Sequence, residues 1–189
     1  MKQFIKSLLG RFYCLLFGVK YQKGIYVGFG TKLIGGAKLH LSERVKIMPQ
    51  AMLVSLRQGI IEIGEASEIS MYSRVASMGY VKIGKNVLTG PHVFIADYNH
   101  EYRNPQKPVM YQGNKFVPRE NGEPNLLIDD GTWIGTNVVI VGNVRIGKNC
   151  VIGANSVVTK DIPDYSVAAG SPCRVIKRYD FDREEWVRV

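Results

Sequence analysis

Three histidines, His40, His92 and His100, are the only side chains of this 189-residue chain whose ordinary titration falls near neutrality. Each has the chemistry to pass a proton or to ligate a metal ion. Ligation would need all three to converge, and His92 and His100 lie only eight residues apart with His40 distant, which does not suit a shared metal. The cysteines Cys14, Cys150 and Cys173 show no CxxC pair and no metal-ligand spacing, so no metal is expected and a reducing cytoplasm fits best. His100 stands apart. It sits in DYNHEYRNP at the start of residues 97–127, a stretch with four of the eight prolines (Pro105, Pro108, Pro118 and Pro124) and with Tyr98, Tyr102, Tyr111 and Phe116. A histidine on such a segment is reachable as a general base or acid, whereas His40 and His92 fall inside regular turns, where a lone histidine is more often structural.

The elements that must position His100 are legible as a repeat. Aliphatic residues recur every six positions at Ile128, Ile134, Ile140, Ile146, Ile152 and Val158, and four residues after each of the first five stand Thr132, Val138, Val144, Cys150 and Ser156. Both sets should point inward, with Cys150 a small buried hydrophobe. A period of six fits neither a helix nor simple strand alternation; it fits a triangular coil in which each hexapeptide is one flat side and three complete an 18-residue turn. Stacked turns would then hydrogen-bond at strand spacing, about 4.8 Å apart. Glycine after the aliphatic residue, as in Ile134-Gly135 and Ile146-Gly147, suits a corner where a side chain would crowd the backbone. A rougher copy runs from Val27 to Ile95, with a two-residue slip expected at residues 80–82. Residues 97–127 then break the period, and a long insert in a compact repeat is usually functional.

The length suits one core. The net charge of +9 is uneven: residues 1–60 carry ten Lys and Arg against the single acid Glu43. No run of basic residues interleaved with aromatics favours nucleic acid. Phe4, Leu8, Phe12 and Leu15 recur at helical spacing, which predicts an amphipathic helix. That segment is too short to span a bilayer and lacks a cleavage site. Its expected role is to cap the fold, with peripheral contact to the inner face of a membrane as the alternative. The expected layout is an N-terminal amphipathic segment at residues 1–24, the coil domain at 25–178 with its insert at 97–127, and a tail at 179–189.

The stretch WIGTNVVIVGNVRIGKNCVIGANSVVTKDIPDYSVAAGSPCRVIK, together with TGPHVFIADYNH, resembles the hexapeptide-repeat acyltransferases, above all their galactoside, maltose and lipopolysaccharide O-acetyltransferase branch. The similarity covers about residues 60–178. It implies a left-handed parallel β-helix, all-β apart from the N-terminal segment, assembled as a homotrimer with active sites between subunits. It implies acetyl-CoA as co-substrate and direct transfer of the acetyl group to a sugar or glycan hydroxyl, with a cell-surface polysaccharide or lipopolysaccharide precursor as the expected acceptor. His100 takes the position of the family's catalytic histidine. Trp133, Thr136 and Ala154 take positions along the pantetheine arm, and Thr159, Lys160, Arg174 and Lys177 take positions near the adenosine phosphates. Ser70, where the family often has Asn, falls with Tyr72, Asp97 and Asn99 on the acceptor side.

Rival readings share the coil. An N-acetyltransferase of an amino-sugar nucleotide or an antibiotic acetyltransferase would keep the donor. A γ-class carbonic anhydrase would need the three histidines to meet, and a non-enzymatic scaffold would leave His100 and the donor positions without a purpose.

Overall fold

The computed structural model describes the backbone of residues 2–189 and the side chains of residues 8–189. The chain winds into a three-sided parallel β-helix, the fold that the resemblance implies. Its first face (A) stacks six strands, from Lys20–Tyr21 to Arg145–Ile146, and its third (C) stacks six, from Lys32–Ile34 to Val157–Val158. The second (B) starts at Tyr26–Val27 and ends with Ser166–Ala169, which pairs antiparallel with Arg174–Asp180 and through it with Glu185–Arg188. The tail at residues 179–189 therefore extends a sheet.

The repeat explains the core. All six aliphatic positions from Ile128 to Val158 are buried, and so are Thr132, Val138, Val144, Cys150 and Ser156. In-register pairing stacks like on like, as Ile134 opposite Ile152 and Ile140 opposite Val158. The small polar members work at the corners: Thr132 Oγ1 donates to the Gly147 carbonyl at 2.8 Å and accepts from the Cys150 N–H at 3.1 Å, joining two coils. A β-carbon on Gly64 would come within 2.4 Å of the Gly84 carbonyl oxygen, so glycine here answers coil-to-coil crowding. Positive φ falls instead two residues later, at Ala66, Asn86, Asn137, Asn149 and Asn155.

One expectation needs correction. Rung partners are 18 residues apart only beyond the insert (Leu127 with Arg145); earlier they are 20 (Lys20 with His40), 22 (His40 with Glu62) and 20 (Glu62 with Lys82). The A-to-B and B-to-C steps keep the period of six, as in Leu41, Ile47 and Leu53 or Ile83, Thr89 and Ile95. Every extra residue enters at the C-to-A corner. The slip accordingly lies at Met78 and Gly79, between the strands Arg74–Ser77 and Tyr80–Ile83, because residues 80–82 are needed as a rung. The insert leaves from the same corner, and it is an ordered hairpin closed by Asn99–His100 against Asn114–Lys115.

The N-terminal helix α1 (Lys2–Leu16) forms and packs on the first coil, but not through the stripe of Leu8, Phe12 and Leu15. Gly10 and Cys14 are buried and Tyr13 is half-buried, with the Tyr13 hydroxyl donating to the Thr31 carbonyl at 2.5 Å. A β-carbon on Gly10 would sit 3.1 Å from the Val27 nitrogen, and this close approach decides which side faces the coil. Leu8, Phe12 and Leu15 point to solvent; the Phe4 side chain lies outside the described residues. The first rung is already made by Lys20–Tyr21. Among the described residues no helix is long and apolar enough to cross a membrane.

Candidate active site

Face C, with the corners on either side of it, holds most of the residues of interest. His100 stands just beyond its C-to-A edge, on the hairpin, exposed at the mouth of a cleft of about 900 Å³. Phe94, Val141 and Val157 give the cleft an apolar floor, while Arg74, Asn143 and Thr159 bring polar groups to it. The hairpin sets the histidine backbone: the His100 N–H donates to Asn99 Oδ1 at 2.8 Å, and Asn114 pairs across from His100. Glu101 next to it accepts from the backbone N–H groups of Tyr102 at 2.9 Å and Arg103 at 3.1 Å, bonds that hold its carboxyl below the usual range.

Asp97, expected on the acceptor side, also lines the cleft, but its carboxylate is buried and engaged. Oδ2 accepts from Ser77 Oγ at 2.8 Å and the Gly79 N–H at 3.0 Å, and Oδ1 accepts from the Met78 N–H at 2.8 Å. Asn125 anchors the return of the insert, accepting from the Tyr80 N–H at 3.1 Å and donating to the Val117 carbonyl at 2.8 Å.

The donor positions are spread over the C-to-A edge, the B-to-C corner and face B. Thr159 lines the His100 cleft, and Lys160 follows it, exposed. Thr136 and Ala154 lie at the B-to-C corner, and Trp133 stands half-exposed on face B. Arg174 and Lys177 lie on the strand Arg174–Asp180, which pairs with Ser166–Ala169; Arg174 is fixed by its own Nη1 donating to the Cys173 carbonyl at 2.8 Å. Ser70 and Tyr72 also lie at the B-to-C corner, where the Tyr72 ring stacks on His92 at 5.1 Å. One chain thus brings His100 together with Asp97, Asn99 and Thr159, and leaves Thr136, Ala154, Ser70 and Tyr72 at the B-to-C corner and Trp133 on face B.

The three histidines do not meet. His40 projects from face A with Nδ1 3.3 Å from Glu62 Oε1, His92 occupies the B-to-C corner, and His100 stands past the C-to-A edge. Among the described residues no group of three His, Cys, Asp or Glu side chains could hold a metal ion. Sequence reasoning missed Arg74, Asn114, Lys115 and Asn143 in the cleft. The repeat could have pointed to Arg74, which precedes the inward Val75 and so must face out of face C. The hairpin pair Asn114 and Lys115 has no periodic signal to reveal it.

The comparisons agree with a coil of stacked hexapeptides interrupted by the hairpin that carries His100. Residues 125–160 match the family described as bacterial transferase hexapeptide (six repeats). The chain is 29% identical over 163 residues to the putative lipopolysaccharide biosynthesis O-acetyl transferase WbbJ of Escherichia coli, covering 86% of this chain and 77% of that one. It is 44% identical over 108 residues to the galactoside O-acetyltransferase of the same organism, covering 56% of this chain but only 47% of that relative. The structure of AntD, an N-acyltransferase from Bacillus cereus in complex with dTDP and 3-hydroxybutyryl-CoA, superposes with a TM-score of 0.75 at 19% identity, over 92% of this chain and 90% of that one. The chain is thus similar to hexapeptide-repeat acyltransferases, galactoside and lipopolysaccharide O-acetyltransferases among them.

Proposed function

We propose that the protein transfers the acetyl group of acetyl-CoA to a hydroxyl of a cell-surface polysaccharide or lipopolysaccharide precursor. The observation that carries this reading is the placement of His100 over a cleft floored by face C. A sugar hydroxyl is too weak an acid to ionise at neutral pH, so the imidazole takes its proton as the oxygen bonds to the thioester carbonyl carbon. The tetrahedral oxyanion then collapses with cleavage of the C–S bond, and the imidazolium returns the proton to the departing CoA thiolate. No acyl-enzyme forms. A second copy of the chain, in a homotrimer, would bring its Trp133, Thr136 and Ala154 edge to the His100 cleft, so that the pantetheine arm lies between chains. Thr159, Lys160, Arg174 and Lys177 would meet the adenosine phosphates through charge-assisted hydrogen bonds.

Thiol release from acetyl-CoA, screened against lipid-linked glycans, simple galactosides and sugar nucleotides, tests the proposal. His100→Ala should lower kcat about 10²- to 10⁴-fold, the usual contribution of a positioned base. Unchanged turnover in that variant would overturn the assignment. A second reading, amide formation on an amino sugar, is favoured by the likeness to the N-acyltransferase AntD along nearly the whole chain. Hydroxylamine separates the two, because it cleaves an O-acetyl ester and leaves an amide intact.

A further inference from the structure

The helix α1 covers the end of the coil with one side and leaves a more apolar side uncovered. Gly10, Tyr13 and Cys14 face the first coil, while Leu8, Leu9, Phe12, Leu15 and Leu16 are between 46% and 67% exposed. Helical geometry puts Leu8, Phe12 and Leu15 on the side opposite the buried Gly10, so they face away from the stack. The first coil adds two exposed apolar side chains of its own, Phe29 at 89% and Ile34 at 50%. Monomeric soluble proteins rarely display contiguous apolar surface of this kind without a use for it.

Charge says what covers it. Residues 1–42 contain seven cations, Lys2, Lys6, Arg11, Lys20, Lys23, Lys32 and Lys38, and no Asp or Glu. Of these, Arg11, Lys20, Lys23 and Lys32 are exposed on the helix and the first coil, and Lys23 reaches Glu43 at 3.6 Å. The helix of 15 residues is too short to cross a bilayer and suited to lie along one. We propose that this end of the β-helix docks on an anionic phospholipid surface, with Leu8, Phe12, Leu15 and Leu16 entering the headgroup region and the surrounding cations meeting lipid phosphates. The inference rests on this surface alone and holds whatever the acceptor proves to be.

Flotation of the full chain with vesicles tests it. The protein should float with vesicles of phosphatidylcholine mixed with phosphatidylglycerol at least tenfold better than with phosphatidylcholine alone, and less well as salt screens the attraction. Phe12→Glu combined with Leu16→Glu should abolish flotation while leaving the thermal unfolding midpoint and turnover of a water-soluble acceptor unchanged, since both side chains are exposed. Lys20→Glu combined with Lys32→Glu should remove the preference for anionic vesicles. The proposal is overturned if the wild-type chain stays at the bottom of the gradient with both vesicle types, or if the Phe12→Glu and Leu16→Glu variant floats as the wild type does. It is likewise overturned if that variant loses its oligomeric state in light scattering while the wild type does not float, because the face then joins copies of the chain. Loss of acetyl transfer in His100→Ala alongside normal flotation would separate the two proposals.

Discussion

Asp97 accepts a hydrogen bond from the Ser77 hydroxyl at 2.8 Å across the corner where the β-helix widens, three residues before His100. With the Met78 and Gly79 N–H groups also bound, the carboxylate fills the gap that the extra residues open between faces C and A. Replacing it with alanine leaves those donors without a partner in a buried setting, at a cost of about 2–4 kcal/mol. Asp97→Ala should therefore lower the midpoint of urea unfolding and reduce kcat at saturating substrates, because the His100 hairpin starts from this clasp. Asp97→Asn, which keeps an acceptor oxygen, should fall between. A kcat equal to wild type in Asp97→Ala would show that the hairpin is positioned by other contacts.

Lys160 follows the last strand of face C and Arg174 lies on the strand that extends face B, both exposed. If they meet the phosphates of the donor, Lys160→Ala with Arg174→Ala should raise the KM for acetyl-CoA about tenfold or more, with a smaller effect on kcat, since each charge-assisted bond contributes on the order of 1.5–3 kcal/mol. Steady-state kinetics at varied acetyl-CoA measure this directly. An unchanged KM would remove both residues from the donor site.

Gly64 lies away from the cleft, and a β-carbon there would press on the Gly84 carbonyl of the next coil at 2.4 Å. Backbone cannot yield as a flexible side chain can. Gly64→Ala should destabilise the fold by about 1–3 kcal/mol, the range for overpacking, without altering the KM of the residual folded enzyme. Chemical denaturation with parallel kinetics would check both halves of this statement.

Cys14 carries a pH signature. Burial against the first coil pushes its thiol from the usual 9.0 up to about 11, so the folded chain holds this proton more tightly than the unfolded chain. The stabilisation is complete below the unfolded value and is lost as pH rises from about 9 toward 11. Stability measured by denaturant across that interval should decline, and less steeply in Cys14→Ala. Equal slopes would mean that the thiol ionises alike in both states.

The regular half of the molecule was legible because one physical constraint, like side chains stacked in register, repeats until it is visible. Ile128 to Val158 could be placed inside the coil from spacing alone, and His100 could be placed at the interruption. The irregular half was not. The extra residues at Met78 and Gly79 are two ordinary residues until the corner they widen is seen. Asp97 resembles an acceptor ligand in sequence and is held by three donors in the fold. The stripe of Leu8, Phe12 and Leu15 predicted the helix but did not say which side would pack, and the close approach at Gly10 marks the side that does.

The coil also fixes a length. His100 leaves face C after its fourth strand, three strand spacings above the first, which is about 14 Å along the axis from the coil that α1 covers. Rungs are stiff in this direction, so the β-helix acts as a ruler between its helical end and its histidine. Deleting or duplicating one complete coil would change that reach by a single increment of about 4.8 Å while leaving both ends chemically intact. If His100 acts as proposed, the number of coils before the insert sets how far from the helical end an acceptor group must extend to reach it.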